Sequence, residues 1–142
     1  MSIRSTAHPH IDNHSCTTMV VDTDAITSLH RALEAGQSGD ELRRFFTADA
    51  VTVEHPNLIK PTGSRATVDE MLAASVKGAG MLSSQKYDVH SALRSGDTAI
   101  LRLTWTGVLR TGDQLVAHIA QFINTRDGLI SSIETFDCYE PF

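Results

Sequence analysis

The 142 residues suit a single domain with one hydrophobic core. Hydrophobic residues make up 41% and charged residues 20%, and the net charge of −5 is spread along the chain, so no basic surface favours nucleic acid. No apolar run approaches the roughly 20 residues of a membrane span, and the N-terminus lacks a signal-peptide pattern. We therefore expect a cytoplasmic protein that binds neither nucleic acid nor membrane.

Residues 1–20 are polar and lack periodicity, which predicts an N-terminal arm in front of one domain over residues 21–142. The arm holds a cluster of potential metal-ligand types: His8, His10, His14 and Cys16. Their spacing matches no helical or zinc-finger pattern, so no metal is predicted, and an arm lying on the body or on a partner subunit is favoured. With Cys138 far away and no signal peptide, two free thiols are expected.

Helical signals dominate the first half of the domain. Apolar residues at steps of three and four predict a first helix over about residues 22–35. Capping-box patterns at residues 38–41 and 67–70 predict the starts of a second and a third helix. We expect Gly78 and Gly80 to end the third helix.

A predicted strand over residues 50–55 lies between the second and third helices. It ends with Glu54 and His55 in front of Pro56, which has no amide hydrogen to continue a ladder. Side chains alternate along a strand, so Glu54 and His55 face opposite sides. We predict that His55 faces a pocket built by the rest of the chain and that Glu54 points away from it.

The second half changes to a period of two. It predicts strands over residues 85–94, 98–109, 115–124 and 129–139, and residues 57–66 form a loop. Short turns between long strands predict an antiparallel meander. Helices on one side of such a sheet make an α+β domain, in which the hollow between the layers suits a small ligand.

Three segments resemble the nuclear transport factor 2-like superfamily, and the resemblance spans about residues 22–142. They are residues 33–36 leading into 46–56, residues 103–107, and residues 126–130 running into 136–142. The resemblance implies a cone-shaped fold, with about three N-terminal helices on a strongly curved, mainly antiparallel sheet that encloses a pocket. It also implies a homodimer paired through the outer sheet face. Enzymes of this superfamily include ketosteroid isomerases and SnoaL-like polyketide cyclases.

The resemblance places His55 at the position of a general base. In ketosteroid isomerases this strand ends in Glu-Asp-Pro and the aspartate is the base. Imidazole, with an ordinary pKa of about 6.5, suits proton transfer at neutral pH. The alternative for His55 is a strand-end histidine bonded to a backbone carbonyl. The oxyanion donors of the isomerases correspond to about Leu29 and Ala120, which cannot donate, so steroid isomerase activity is not expected.

SnoaL-like cyclases use a carboxylate on a late strand, which makes three further residues catalytic candidates: Asp137, Glu134 and His118. His118 is expected to share an inward face with Ala120 and Phe122. Asp137 and Glu134 lie on opposite faces if the strand is regular, and a β-bulge would change this. The alternative for Asp137 is a structural carboxylate that accepts hydrogen bonds from loop amides. For Glu134 and His118 a structural role is favoured.

Apolar and aromatic strand residues are the candidate pocket walls. The predicted ligand-binding residues are Leu101, Leu103, Trp105, Tyr87, Phe122 and Ala120. No phosphate loop, dinucleotide fingerprint or nucleophile elbow is present, so no cofactor is predicted. We predict a cofactor-independent acid–base isomerase or cyclase acting on a small hydrophobic carbonyl or polycyclic compound. The alternative, motivated by the missing oxyanion donors, is a non-catalytic ligand-binding or dimerisation module.

Overall fold

A computed structural model describes residues 17–18 and 24–142. The helices are α1 (Ala25–Glu34), a 3-10 helix (Gly39–Phe45) and α2 (Val68–Met81). The strands are β1 (Thr17–Thr18), β2 (Phe46–Glu54), β3 (Ser64–Thr67), β4 (Leu82–Ser95), β5 (Thr98–Leu109), β6 (Gln114–Arg126) and β7 (Leu129–Tyr139). None of the helices within these ranges is long and apolar enough to cross a membrane.

The predicted arm lies outside the described residues except for Thr17 and Thr18. These two pair with Arg94 and Leu93 at the end of β4. The histidines and the cysteine of the arm lie outside the described part of the chain. The prediction that they bind no metal therefore stays a prediction. Cys138 is a free, exposed thiol.

The strands form one sheet in the order β1-β4-β5-β6-β7-β2-β3. The predicted meander from β4 to β7 is confirmed, since each of these strands pairs antiparallel with the next. Strand β2, which follows the first two helices in the chain, pairs with β7 on the side away from β6. These two strands run parallel. The α+β class is therefore confirmed, as a mixed and open sheet with three helices.

Local sequence explains where the helices begin. Asp24 caps α1, because its Oδ1 accepts a hydrogen bond from the Thr27 backbone N–H at 3.0 Å. Thr67 and Glu70 form the predicted capping box at the start of α2. Each helix buries one face against the sheet, with Ile26 and Leu29 from α1 and Leu72 from α2 in the core. We call the helix-covered side of the sheet the inner face and the opposite side the outer face.

Several predicted boundaries are wrong. The second helix is a 3-10 helix that passes directly into β2 at Phe46, four residues before the predicted start of that strand. The predicted loop over residues 57–66 contains the start of β3. Helix α2 continues through Gly78 and Gly80 to Met81, since neither glycine adopts the positive φ that ends a helix. The weak helix propensity of glycine, about 1 kcal/mol below alanine, does not by itself stop a packed helix.

The core lies between the helices and the inner face. Its members on β5 are every second residue of that strand, as the period of two predicts. The buried cluster consists of Ile26, Leu29, Ala32, Leu42, Phe45, Phe46, Ala50, Val68, Leu72, Ala99, Leu101, Leu103, Ile123 and Ile130. Leu101 and Leu103 are only 4% and 1% exposed, so they belong to this packing.

Candidate functional site

The register of β2, β6 and β7 decides which polar side chains face the helices. Glu54 is paired with Thr135 on β7. Asp137, two residues further along β7, is paired with Ile119 on β6. Because paired residues share a face and alternate residues along a strand do so too, Glu54, Thr135 and Asp137 all lie on the inner face. The strand ends thus bring two carboxyl groups to the same side of the sheet.

Two adjoining cavities lie on the inner face. The larger, of about 540 Å³, lies between the sheet and the helices and is mostly apolar, with Ile26, Leu29 and Phe46 among its walls. The smaller, of about 190 Å³, is lined by Glu54, Tyr87, Trp105, Ile119, Gln121, Thr135, Asp137 and Tyr139. Four residues line both cavities: Glu54, Tyr87, Gln121 and Thr135. We call the two together the inner hollow; Glu54 lies where its compartments meet.

The carboxyl groups of Glu54 and Asp137 interact, and their pKa values move apart. Burial, and then the neighbouring Glu54 carboxylate, raises the pKa of Asp137 to about 7. Burial also opposes ionisation of Glu54, but hydrogen bonding with Asp137 and Lys60 outweighs it and lowers the pKa of Glu54. Below about pH 7 the pair therefore holds one proton, and Asp137 carries it.

Hydrogen bonding supports the same assignment independently. Oδ1 of Asp137 is buried and has no hydrogen-bond partner among the described residues. A buried oxygen without a donor is more unfavourable when its carboxyl group is ionised, which favours the protonated form of Asp137. Two interacting carboxyl groups with separated pKa values in a cleft are the usual arrangement of a general acid beside a general base.

The segment after β2 supplies donors to Glu54. Nδ2 of Asn57 donates to Glu54 Oε1 at 3.1 Å. Nζ of Lys60 donates to Glu54 Oε2 at 2.8 Å. Both carboxylate oxygens are thus held by donors, and hydrogen bonds to a charged form favour that form.

The buried aromatic side chains of the inner hollow that carry polar groups are neutral near pH 7. The His30 ring stacks on Tyr87 with centroids 4.5 Å apart, and burial lowers the pKa of His30 to about 4. Burial raises the pKa of Tyr139 to about 12, so its hydroxyl keeps its proton. Trp105 Nε1 donates to Gln85 Oε1 at 2.9 Å. Charge in the smaller cavity is therefore concentrated on the Glu54–Asp137 pair.

The prediction that His55 faces the pocket and Glu54 points away is wrong. His55 lies on the outer face, where its ring stacks on Phe136 at 4.1 Å and its Nε2 lies 2.9 Å from Glu134 Oε2. Neither His55 nor Glu134 lines the inner hollow. Alternation along β2 separates Glu54 from His55 correctly, but only the parallel pairing with β7 decides which side the helices cover.

The predicted inward face of β6 is wrong for the same reason. His118, Ala120 and Phe122 point to the outer face, and Phe122 is 38% exposed. His118 Nε2 lies 3.1 Å from Glu140 Oε1 on that side. The inner positions of β6 are instead Ile119, Gln121 and Ile123, one residue out of step with the prediction.

Three predicted residues line the smaller cavity: Tyr87, Trp105 and Asp137. Their roles as ligand contacts or catalyst remain predictions. Sequence reasoning missed Asn57 and Lys60 altogether. A signal for them is present, because an asparagine that follows Pro56 is typical of a turn in which its side chain bonds the backbone two and three residues on.

Solved structures share this fold at low sequence identity. A hypothetical protein with a ketosteroid isomerase-like fold from Catenulispora acidiphila, in complex with trimethylamine, is 21% identical over 78% of this chain and 82% of its own, with a TM-score of 0.65. IdmH of Streptomyces antibioticus, a proposed polyketide cyclase, is 21% identical over 80% and 88%, with a TM-score of 0.64. TerC, co-crystallised with polyporic acid, is 13% identical over 82% and 88%, also with a TM-score of 0.64.

These similarities define the class of fold, that of the nuclear transport factor 2-like superfamily. The SnoaL-like domain family matches residues 26–133, which is most of the chain. The chain therefore belongs to the SnoaL-like domain family. No curated protein matches the sequence. Because this fold hosts many unrelated activities, function has to be argued from the site itself.

Proposed function

We propose that this protein is a cofactor-independent acid–base enzyme, an isomerase or a cyclase. Its substrate is a small, hydrophobic, carbonyl-bearing or polycyclic compound bound in a pocket formed by the inner hollow. Glu54 is the general base and Asp137 is the general acid. The observation that carries the proposal is the pair of interacting carboxyl groups with separated pKa values where the two cavities adjoin.

The apolar walls of the larger cavity hold the body of the substrate, and its volume of about 540 Å³ suits a compound of several rings. Ionised Glu54 removes a proton from the carbon beside the carbonyl. Asp137 gives its proton to the carbonyl oxygen as negative charge develops there, which does part of the work of the missing oxyanion donors. Glu54 then returns its proton to carbon, and the enol hydroxyl returns its proton to Asp137. Both carboxyl groups regain their starting states without an oxidant or a reductant.

Similar proteins support the substrate class. The similar structures include one with trimethylamine and one with polyporic acid, so this fold accommodates small ligands. IdmH and a protein of Sinorhizobium meliloti are both described as proposed polyketide cyclases. A cyclase needs a proton to be removed next to a carbonyl, which is the step that Glu54 would carry out.

The proposed assembly is a homodimer in which the two subunits pair through their outer faces. Four of the large apolar side chains on the outer face are each about 40% exposed: Leu93 41%, Ile100 40%, Phe122 38% and Phe136 43%. Phe122 and Phe136 contact each other edge to face at 5.9 Å. Clustered exposed aromatic side chains are typical of protein interfaces.

Exchange of substrate hydrogen for deuterium tests the proposal. With 2-tetralone as probe in deuterated buffer, NMR should show that the wild-type protein accelerates exchange beside the carbonyl. The rate should fall as the pH rises above about 7, where Asp137 loses its proton. Asp137→Asn should lower the rate by roughly 10²–10⁴-fold, the usual contribution of a general acid or base.

His55→Ala is the matched control, and it should exchange at the wild-type rate because His55 lies on the other face. Equal exchange by wild type and Asp137→Asn would contradict the proposal. A panel of ketones that bind in the inner hollow without any exchange would favour the non-catalytic binding module.

A further inference from the structure

The loop between β2 and β3 is built around one asparagine. Oδ1 of Asn57 accepts hydrogen bonds from the backbone N–H groups of Ile59 and Lys60, both at 2.9 Å. Its Nδ2 therefore points the other way and donates to Glu54 Oε1 at 3.1 Å and to the His55 carbonyl at 3.0 Å. All four contacts use the amide in one orientation, so the direction of its donor is fixed.

The same loop is pressed against the backbone of Glu54. Gly63 has a φ of 68°, and a Cβ atom at this position would lie 2.5 Å from the Glu54 carbonyl oxygen. The Lys60 carbonyl accepts hydrogen bonds from the backbone N–H groups of Asn57 at 3.0 Å and Gly63 at 2.9 Å. Lys60 is thereby held where its Nζ reaches Glu54 Oε2 at 2.8 Å. Only glycine allows this close approach.

The two carboxyl groups of the pair consequently have unequal surroundings. Glu54 has a donor on each oxygen, whereas Oδ1 of Asp137 has none among the described residues. The other titratable side chains facing the pair are Tyr87 and Tyr139, whose pKa values lie above their ordinary range. Neither tyrosine competes for the proton near neutral pH.

We propose that Asn57 and Lys60 are positioning residues that place the shared proton on Asp137 and keep Glu54 ionised. They thereby decide which carboxyl group is the base and which is the acid. The catalytic meaning of this assignment rests on the proposed function. The location of the proton, however, is a property of the protein without substrate and can be measured on its own.

Carboxyl ¹³C NMR titration of the protein labelled at Asp and Glu measures that location. In the wild type, Glu54 should titrate well below Asp137. Lys60→Met removes the cation and keeps the aliphatic stem, while Asn57→Asp keeps the turn acceptor and removes the donor. In both variants Glu54 should titrate higher, by roughly one pH unit or more, and the gap to Asp137 should narrow.

Two controls isolate the effect. Lys60→Arg keeps a charged donor and should preserve the wild-type titration. Lys86→Met makes the same change of charge at an exposed ion pair with Asp88, 3.2 Å apart on β4, and should also leave the titration unchanged. An unaltered gap in both Lys60→Met and Asn57→Asp would overturn the inference.

The exchange assay separates this inference from the proposed function. A narrowed gap in the absence of any exchange by the wild type would leave the proton placement standing and remove the enzyme. The opposite result is exchange by the wild type together with an unchanged pKa difference between Glu54 and Asp137 in Lys60→Met and Asn57→Asp. It would support the enzyme and overturn the proposed roles of Asn57 and Lys60. If the proposed function and the proton placement are both correct, the exchange rate of Lys60→Met should fall at a different pH from that of the wild type. The change should match the change in the NMR titration of Asp137.

Discussion

Glu54 and His55 are neighbours in the sequence, and each interacts with a carboxylate of β7, but on opposite sides of the sheet. On the inner face Glu54 meets Asp137 next to the cavities. On the outer face of this chain His55 meets Glu134, with side chains 37% and 47% exposed. An ion pair so open to water contributes little to stability.

The inner pair shows that burial can give a carboxyl group a pKa near neutrality. Histidine is the usual choice for proton transfer at neutral pH, and His55 has a carboxylate partner at hydrogen-bond distance. Two carboxyl groups are a less obvious choice. On the inner face, however, partial burial raises the pKa of Asp137 to about 7 and so gives it the range of an imidazole.

The largest expected effect comes from making one substitution on each face. Glu54→Gln removes the proposed base and should lower the deuterium exchange rate by roughly 10²–10⁴-fold. Glu134→Gln is the same chemical change on the same pair of strands and should stay within about twofold of the wild type, since it only removes an exposed contact. Exchange rates measured side by side decide between the faces. A large fall in the exchange rate of Glu134→Gln, with no fall in that of Glu54→Gln, would indicate that the active site lies on the outer face.

An intermediate effect is expected on assembly. Phe136→Asp places a charge in the exposed aromatic cluster and should weaken the proposed dimer by at least roughly tenfold in Kd, because desolvating an unpaired charge in an interface is unfavourable. Met81→Asp, at an apolar side chain that is 62% exposed on α2, is the control. Sedimentation equilibrium measures both. A monomeric wild type, or a dimer that Phe136→Asp leaves intact, would remove the outer face as the interface.

The smallest expected effect is on stability. The pKa of Asp137 is about 7 in the folded protein and about 3.9 in an unfolded chain, so the folded state binds the proton more tightly. The stability contributed by this proton is complete below about pH 4 and is lost as the pH rises through about 7. The wild type should therefore lose this stability between pH 5 and pH 8, whereas Asp137→Asn should not. The free energy of unfolding of the variant minus that of the wild type should increase over the same range. The gain should be on the order of 1 kcal/mol after allowance for solvent screening, or a few degrees in Tm.

Thermal unfolding at both pH values measures this gain, with Glu134→Gln as the variant in which no such trend is expected. A relative stability of Asp137→Asn that is independent of pH would mean that Asp137 is already ionised in the folded protein at pH 5. The acid in the proposed mechanism would then be lost. Greater stability together with lower activity is the usual outcome when a strained catalytic group is removed.

Much of the fold follows from local patterns. The alternation of Leu101, Leu103 and Trp105 predicts β5 and the side that it buries, and the capping box at Thr67 and Glu70 predicts the start of α2. Turns of glycine and aspartate predict the meander, because few residues can form a short connection with positive φ. These features depend on residues close in sequence, so they can be recognised before anything is known of the tertiary structure.

The site was predicted only in part. Sequence reasoning identified the strand that ends at Pro56 and included Asp137 among its candidates, but it chose His55 over Glu54. It also chose the wrong face of β6, so that Phe122 replaced Gln121 as a wall of the hollow. A period of two divides each strand into two faces but does not show which face the helices cover. A shift of one residue in the strand pairing moves every side chain to the opposite face.

The sequence by itself therefore determined the α+β class, the four long strands and the pair of adjacent polar residues at the end of β2. Tertiary structure alone decided that Glu54 faces inward, because the parallel pairing of β2 with β7 joins segments just over 80 residues apart, as Val53 with Glu134 shows. It also decided the protonation of Asp137, since a pKa depends on burial and on neighbours brought together from distant parts of the chain.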